Sequence, residues 1–118
     1  MKHRNKKTIL GRKRDPRKAL MRGLATSMII YGKIQTTETK AKAMRPMVEK
    51  LITTAKAGQD DLNARRKLLE ILYHKKAVAK ALEVLGPKYK NRPGGYTRIT
   101  HLGTRQGDGA KMVNIEFV

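Results

Sequence analysis

The sequence has 118 residues, of which 28 are Lys or Arg and only 9 are Asp or Glu, so its formal net charge is +19. This charge favours a polyanionic partner, because neutralisation by phosphates relieves the repulsion among the cations. Hydrophobic residues make up 39% and aromatic residues 4% of the chain, which allows one domain with a modest aliphatic core. The absence of cysteine excludes disulfides, zinc thiolates and cysteine nucleophiles.

No part of the sequence approaches the roughly 18 consecutive apolar residues of a membrane span. The basic N-terminus lacks the apolar run of a secretory signal, and it also lacks the serines of a mitochondrial transit peptide. We therefore expect a cytoplasmic protein with no membrane insertion.

The positive charge is concentrated in the first 22 residues, which contain ten Lys or Arg and a single acid, Asp15. Residues 1–14 show no apolar periodicity, so we expect a basic extension that binds RNA, followed by one globular domain over residues 15–118. The alternative for the extension is a disordered tail that only increases solubility.

The first helix is predicted from about residue 16 to residue 31. Asp15 can cap its N-terminus, Pro16 fits the first helical position, and Gly32 ends it. Apolar residues recur along it at helical spacing: Leu20, Met21, Leu24, Ala25, Met28 and Ile29.

Three cations, Arg17, Lys18 and Arg22, lie in the first turns of this predicted helix. The helix dipole disfavours positive charge at that end. A phosphate held between these side chains would relieve the conflict, so we expect RNA there.

Residues 33–37 alternate in polarity and include two β-branched threonines, which predicts a short strand. A second helix is predicted to follow and to reach about Ala57. Pro46 falls inside it and indicates either a kink or a true start near Met44. Three threonines are candidates for its N-cap: Thr36, Thr37 and Thr39.

A third helix is predicted after Gly58, capped by Asp60 or Asp61 and ending near His74. A shorter fourth helix covers residues 77–85, and Gly86-Pro87 is predicted to terminate it.

The C-terminal part of the sequence predicts an antiparallel hairpin. Residues 96–102 and 111–118 are its strands, and Gly107-Asp108-Gly109 supplies the turn. In the second strand, Val113, Ile115 and Phe117 alternate with polar residues, so they should face the helices. The predicted fold class is α+β, with about four helices packed on a small mixed sheet.

No constellation in the sequence predicts catalysis or metal binding. His3, His74 and His101 are far apart and have no cysteines or carboxylates grouped with them. Asp108 and Glu116 have no spacing that sets an acid–base pair, and the C-terminal glycines lack the Lys-Ser/Thr of a P-loop. We expect no enzyme activity, no cofactor and no small-molecule substrate.

The aromatic content indicates the kind of nucleic acid. Four Tyr, one Phe and no Trp are too few for recognition by base stacking, so contacts to phosphates, 2′-hydroxyls and RNA shape are expected. The candidate RNA-binding residues are Lys2, His3, Arg4, Lys6, Lys7, Arg12, Lys13, Arg14, Arg17, Lys18, Arg22, Thr36, Thr37, Lys40, Lys42, Arg45, Arg65, Arg66, Arg92, Tyr96, Arg98 and Arg105.

Short motifs occur along the sequence: His3-Arg4, Gly11-Arg12, Lys33-Ile34-Gln35-Thr36-Thr37, Lys40-Ala41-Lys42, Arg45-Pro46, Leu51-Ile52-Thr53, Arg92-Pro93-Gly94-Gly95-Tyr96-Thr97-Arg98, and Arg105 with Gly107-Asp108. Together these motifs resemble those of the bacterial large-subunit ribosomal protein seventeen family. The resemblance covers essentially the whole chain, and the motifs at residues 34–42 and 92–98 are the most specific.

This resemblance implies a structural protein on the solvent side of the large subunit, near the peptide exit tunnel. Its implied partners are the large-subunit (23S) ribosomal RNA and neighbouring large-subunit ribosomal proteins. The sequence departs from the family pattern at Pro16, where histidine is common, and at Gly23, where asparagine is usual, so family RNA contacts at these two positions are in doubt.

Two other functions compete with this one. A DNA-compacting protein would share the charge, but it usually needs a wedge residue or an arm that enters the minor groove. A small enzyme would need a catalytic constellation, and the sequence offers none.

Overall fold

The structure, a computed structural model, describes His3, residues 8–58 and residues 60–118. Helices pack against one three-stranded sheet, so the predicted α+β class is confirmed. The elements are α1 (Arg14–Tyr31), β1 (Lys33–Thr37), α2 (Glu38–Ala55), α3 (Leu62–Ile71), α4 (Lys75–Lys80), a π-helical segment (Ala81–Leu85), α5 (Gly86–Lys88), β2 (Thr97–Thr104) and β3 (Lys111–Phe117).

Helix α1 ends as predicted but begins two residues earlier. Gly32 adopts a φ of 81°, and its N–H donates to the carbonyl of Met28 at 2.7 Å. Only glycine adopts this left-handed conformation without strain, so the helix stops there. At the other end Lys13 occupies the N-cap position without a side-chain hydrogen bond, and Asp15 lies inside the first turn. The predicted Asp15 cap is therefore wrong.

Helix α2 passes through Pro46 without interruption, so the predicted start near Met44 is wrong. The alternative of a kink at Pro46 stays a prediction. Thr37 occupies the N-cap position, but its hydroxyl makes no capping hydrogen bond. Burial of an apolar face offsets the cost of the proline; that face consists of Ala41, Met44, Val48, Leu51, Ile52 and Ala55.

Helix α3 has the side-chain cap that the sequence predicts. The carboxylate of Asp61 accepts a hydrogen bond from the N–H of Ala64 at 3.1 Å. The helix ends at Ile71, three residues before His74, because Leu72 adopts an extended conformation.

The termination predicted at Gly86-Pro87 is wrong. Helical backbone continues from α4 through the π-helical segment into α5, which ends at Lys88. Pro87 lies at the start of α5, directly after the π-helical segment. Gly86 is buried, and a Cβ atom on it would lie 2.5 Å from the carbonyl oxygen of Ala55. The glycine therefore permits close packing of α5 on α2 instead of ending a helix.

The sheet has the order β1-β3-β2 and is antiparallel throughout, so the prediction of a mixed sheet is corrected. β2 and β3 form the predicted hairpin, with a bulge between His101 and Gly103. β1 pairs with the other edge of β3, which aligns Ile34 with Ile115. The C-terminal strand is therefore central, and α1 together with the helices between β1 and β2 forms the helical layer.

The hydrophobic core lies between the helices and one face of the sheet. Val113 and Ile115 are fully buried, which confirms the alternation predicted for β3. In α1 the buried stripe is Met21, Ala25, Met28 and Ile29, whereas Leu20 and Leu24 are only partly buried.

Two helical glycines give a matched test of the α2–α5 contact. Gly86→Ala should destabilise the fold by about 1–3 kcal/mol, because the added methyl group overlaps the Ala55 carbonyl. Gly23→Ala in α1 meets nothing within 4 Å and should stabilise the protein by up to about 1 kcal/mol through helix propensity. Urea unfolding of both variants measures the difference, and equal effects would contradict the packing role of Gly86.

Candidate nucleic-acid interface

Two neighbouring grooves bring together cations from distant parts of the sequence. The first runs between α1 and α2 and is lined by Arg17, Lys18 and Lys42, with Met21 and Met47 among its apolar lining residues. An open groove with cations along it and apolar side chains in its lining suits a phosphate backbone better than a compact apolar ligand.

The second groove lies between α2 and the start of β2. Lys42, Arg45, Arg92, Arg98 and His101 line it. Lys42 belongs to both grooves, so they form one surface. We call Arg17, Lys18, Lys42, Arg45, Arg92 and Arg98 the cationic face.

Helix α2 holds the start of β2 at this groove through Glu49. One carboxylate oxygen of Glu49 accepts from the hydroxyl of Thr97 at 2.9 Å, and the other accepts from the N–H of Tyr96 at 3.3 Å. The same carboxylate lies 4.0 Å from Nε of Arg45. Glu49 thereby fixes the strand beside the helix and lies close to one cation of the groove.

Lys56, the C-cap residue of α2, lies two turns beyond Glu49 and holds the loop that precedes β2. Its Nζ donates to the carbonyl of Arg92 at 2.7 Å and to the hydroxyl of Tyr96 at 3.0 Å. The Tyr96 hydroxyl in turn donates to the Arg92 carbonyl at 3.1 Å. The hydrogen bond from Lys56 holds the pKa of Tyr96 below its ordinary value. We call Glu49, Lys56, Tyr96, Thr97 and the Arg92 carbonyl the α2 clamp.

Tyr96 is the clearest correction among the predicted site residues. Its side chain is buried, with only 2% of the residue exposed, and its ring packs 5.1 Å from that of Tyr89. The ring is therefore part of the core and is not available as a surface contact to RNA.

Arg22 is engaged within the protein. Its Nε donates to the carbonyl of Ile71 at 2.8 Å, and its guanidinium carbon lies 4.5 Å from the centre of the Tyr73 ring. The last carbonyls of a helix lack intrahelical partners, so Arg22 satisfies one at the end of α3. Its role is to join α1 to α3.

Arg105 lies at the hairpin tip and is paired with Asp108. Its Nε donates to the carboxylate at 3.1 Å, and its Nη2 forms a second hydrogen bond to the same group. The N–H of Ala110 also donates to this carboxylate at 3.1 Å. The pair offsets the positive charge predicted for the tip, so an RNA phosphate would have to compete with Asp108.

The other predicted residues lie away from the two grooves or outside the described residues. Thr36 is buried, with 8% exposure, and Thr37 and Lys40 are half-buried. Arg65 and Arg66 lie on α3, which lines neither groove. Of the N-terminal residues, His3, Arg12, Lys13 and Arg14 are exposed, and Lys2, Arg4, Lys6 and Lys7 lie outside the described residues.

Sequence reasoning missed the clamp and the groove position of His101. Glu49 and Lys56 are seven residues apart and so lie on one side of α2, which was an available signal. Their partners lie 36 to 48 residues further along the sequence, and nothing in the local pattern connects them. Acidic Glu38 was also missed; its hydrogen bond with Lys42 is the main cause of its lowered pKa.

The described residues contain no group of three or more acidic, histidine or cysteine side chains arranged to hold a metal ion. Within the same part of the chain, no helix combines the length and apolar character required to cross a bilayer.

A family model described as ribosomal protein L17 matches residues 20–118. The chain belongs to the ribosomal protein L17 family. It is similar to the large ribosomal subunit protein bL17 of Carboxydothermus hydrogenoformans, with 50% identity over 92% of this chain and 96% of the relative. The corresponding protein of Gemmatimonas aurantiaca is 49% identical over the whole chain and 98% of the relative. This membership identifies a ribosomal protein and not an enzyme.

The α2 clamp predicts a measurable loss of stability. Glu49→Ala leaves the Tyr96 N–H and the Thr97 hydroxyl without their acceptor, which should cost about 1–3 kcal/mol. Urea unfolding gives the value, and hydrogen exchange should show faster exchange at the Tyr96 amide. Glu70→Ala, an exposed acid on α3, is the control for charge and helix propensity. Equal stability of the two variants would show that the clamp does not hold β2.

The Arg105–Asp108 pair predicts an acid-dependent loss of stability. The hydrogen bonds from Arg105 are the main cause of the lowered pKa of Asp108. The folded protein therefore keeps this carboxylate ionised at a pH where the unfolded chain binds a proton. The contribution of the ionised Asp108 to the stability of the fold is complete above about pH 4, and it is lost as the pH falls below that value. Thermal melts of the wild type and Asp108→Asn should converge on acidification, and a constant difference would contradict the pairing.

Proposed function

We propose that this protein is a structural component of the bacterial large ribosomal subunit and binds 23S ribosomal RNA through the cationic face. The observation that carries the proposal is the convergence of Lys42, Arg45, Arg92 and Arg98 on one groove. Lys42 and Arg45 are far from Arg92 and Arg98 in the sequence, and the α2 clamp holds the two segments together. Cations gathered on one surface in this way suit RNA whose folded geometry is already set.

The uncapped start of α1 supports the same proposal. Lys13 provides no side-chain acceptor for the first backbone N–H groups, and Arg17 and Lys18 lie beside them in the first groove. A phosphate oxygen there would accept from the backbone N–H groups of Arg14 and Asp15, because Pro16 has none, and its charge would balance Arg17 and Lys18. The basic residues of the N-terminal extension would add further phosphate contacts.

The position of the protein within the ribosome is the finer part of the proposal. The family resemblance supports a place on the solvent side of the large subunit, near the exit tunnel, beside other large-subunit proteins. The relatives are named as large ribosomal subunit proteins. Within this proposal the protein acts in the cytoplasm as part of the ribosome and supports translation.

The salt dependence of RNA binding tests the cationic face. A variant with Arg45→Gln, Arg92→Gln and Arg98→Gln should bind large-subunit ribosomal RNA more weakly. The slope of log affinity against log salt should become shallower by about 2–3, because each lost phosphate contact removes about 0.7–0.9 from the slope. An unchanged slope would contradict the proposed face.

The matched control for this experiment carries the same charge change elsewhere. Lys67, Lys75 and Lys76 are exposed on α3 and α4 and line neither groove. Their replacement by Gln should leave the slope nearly unchanged. Duplex DNA serves as the competing ligand, and equal affinity for DNA and ribosomal RNA at the same salt would favour the DNA-compacting alternative.

A further inference from the structure

The face of the sheet that points away from the helices carries ordered rows of polar side chains. Gln35, Asn114 and Thr100 are partners across β1, β3 and β2. Gln35 and Thr100 are exposed, and Asn114 on the central strand is half-buried. Residues on the opposite face, such as Val113 and Ile115, are fully buried against the helices. The polar row therefore faces outward from a rigid scaffold.

The neighbouring row places a cation at each edge of this face. Lys33 on β1 and Arg98 on β2 are both aligned with Glu116 on β3, and both are exposed. Strands are spaced by about 4.8 Å, so the backbones at the two edges lie about 10 Å apart. The half-buried Glu116 lies between the two cations, and the neighbouring row adds two amides and a hydroxyl. The face therefore matches a surface with phosphates on both sides and 2′-hydroxyls between them, because a carboxylate accepts hydrogen bonds from hydroxyl groups.

The minor groove of A-form RNA is such a surface. It is wide and shallow, and it displays 2′-hydroxyls that both donate and accept hydrogen bonds. Side-chain amides and hydroxyls also do both. The minor groove of B-form DNA is only about 6 Å wide, which is too narrow for a flat face of three strands.

A protein partner fits this face less well. The cores of protein interfaces rely on apolar and aromatic anchors, whereas the large apolar side chains of this face are the half-buried Met112 and the exposed Leu102 at the bulge of β2, both at one end of the strands. The face is also continuous with the cationic face, because Arg98 belongs to both.

We propose that the solvent face of the sheet, centred on Gln35, Asn114 and Thr100, binds the minor groove of an RNA double helix through its 2′-hydroxyls. This inference rests on the proposed ribosomal RNA binding and adds a second mode of contact to it. The cationic face supplies affinity that depends on salt, and the sheet face distinguishes RNA from DNA.

The test compares a double-stranded RNA with the DNA duplex of the same sequence as probes for the full-length chain. The variant Gln35→Ala, Thr100→Val and Asn114→Ala should lose about tenfold or more in affinity for the RNA, since each hydrogen bond contributes a few-fold. Its affinity for the DNA and its salt slope should stay unchanged. No loss, or an equal loss for RNA and DNA, would overturn the proposal.

Two further variants keep the result interpretable. Gln35→Ala with Thr100→Val alters only the exposed edge strands, so it tests the same prediction if replacing Asn114 disturbs the fold. Gln106→Ala, an exposed amide in the hairpin turn, is the control and should leave RNA affinity unchanged. If the arginine variant has a shallower salt slope while the sheet variants keep the RNA affinity of the wild type, this inference fails and the proposed function stands. If the arginine variant keeps the wild-type salt slope, the proposed function itself fails.

Discussion

The attachment of residues 92–97 to α2 determines where Arg92 and Arg98 lie relative to the cations of that helix. Glu49 and Lys56 on one side of α2 hold the backbone and hydroxyl groups of Arg92, Tyr96 and Thr97. Without this clamp, the loop before β2 would be positioned by its turn hydrogen bonds, by the packing of two tyrosines and by the Val118 N–H, which donates to the Tyr96 carbonyl at 2.9 Å. With the clamp, a basic loop and a basic helix form one groove.

The clamp also connects the two surfaces that we assign to RNA. It fixes the start of β2, and β2 carries Arg98 at the boundary between the cationic face and the sheet face. One surface presents mainly charge, and the other presents mainly amides and hydroxyls. Long-range attraction and short-range discrimination of the sugar thus come from adjacent parts of a rigid scaffold.

Local patterns predicted most of the elements but not the contacts between them. Alternation of polarity identified β1 and β3. Asp61 caps the N-terminus of α3, and Gly32 ends α1 in a left-handed conformation, as their residue types predict. Tyr96 was misassigned because an aromatic residue in a basic loop has the same local pattern whether it faces RNA or the core. Gly86 was misread because its close approach to Ala55 depends on the packing of two helices. Arg105 and Asp108 are close in sequence, but their pairing depends on the geometry of the turn that joins them, which the residue pattern alone does not specify.

Crosslinking of the bound protein to large-subunit ribosomal RNA, followed by identification of the crosslinked peptides, tests the central claim most directly. The account predicts crosslinks in the first turns of α1, in the first half of α2 around Lys42 and Arg45, and in residues 92–98. Crosslinks confined to α3 and α4, with none in these three segments, would contradict it.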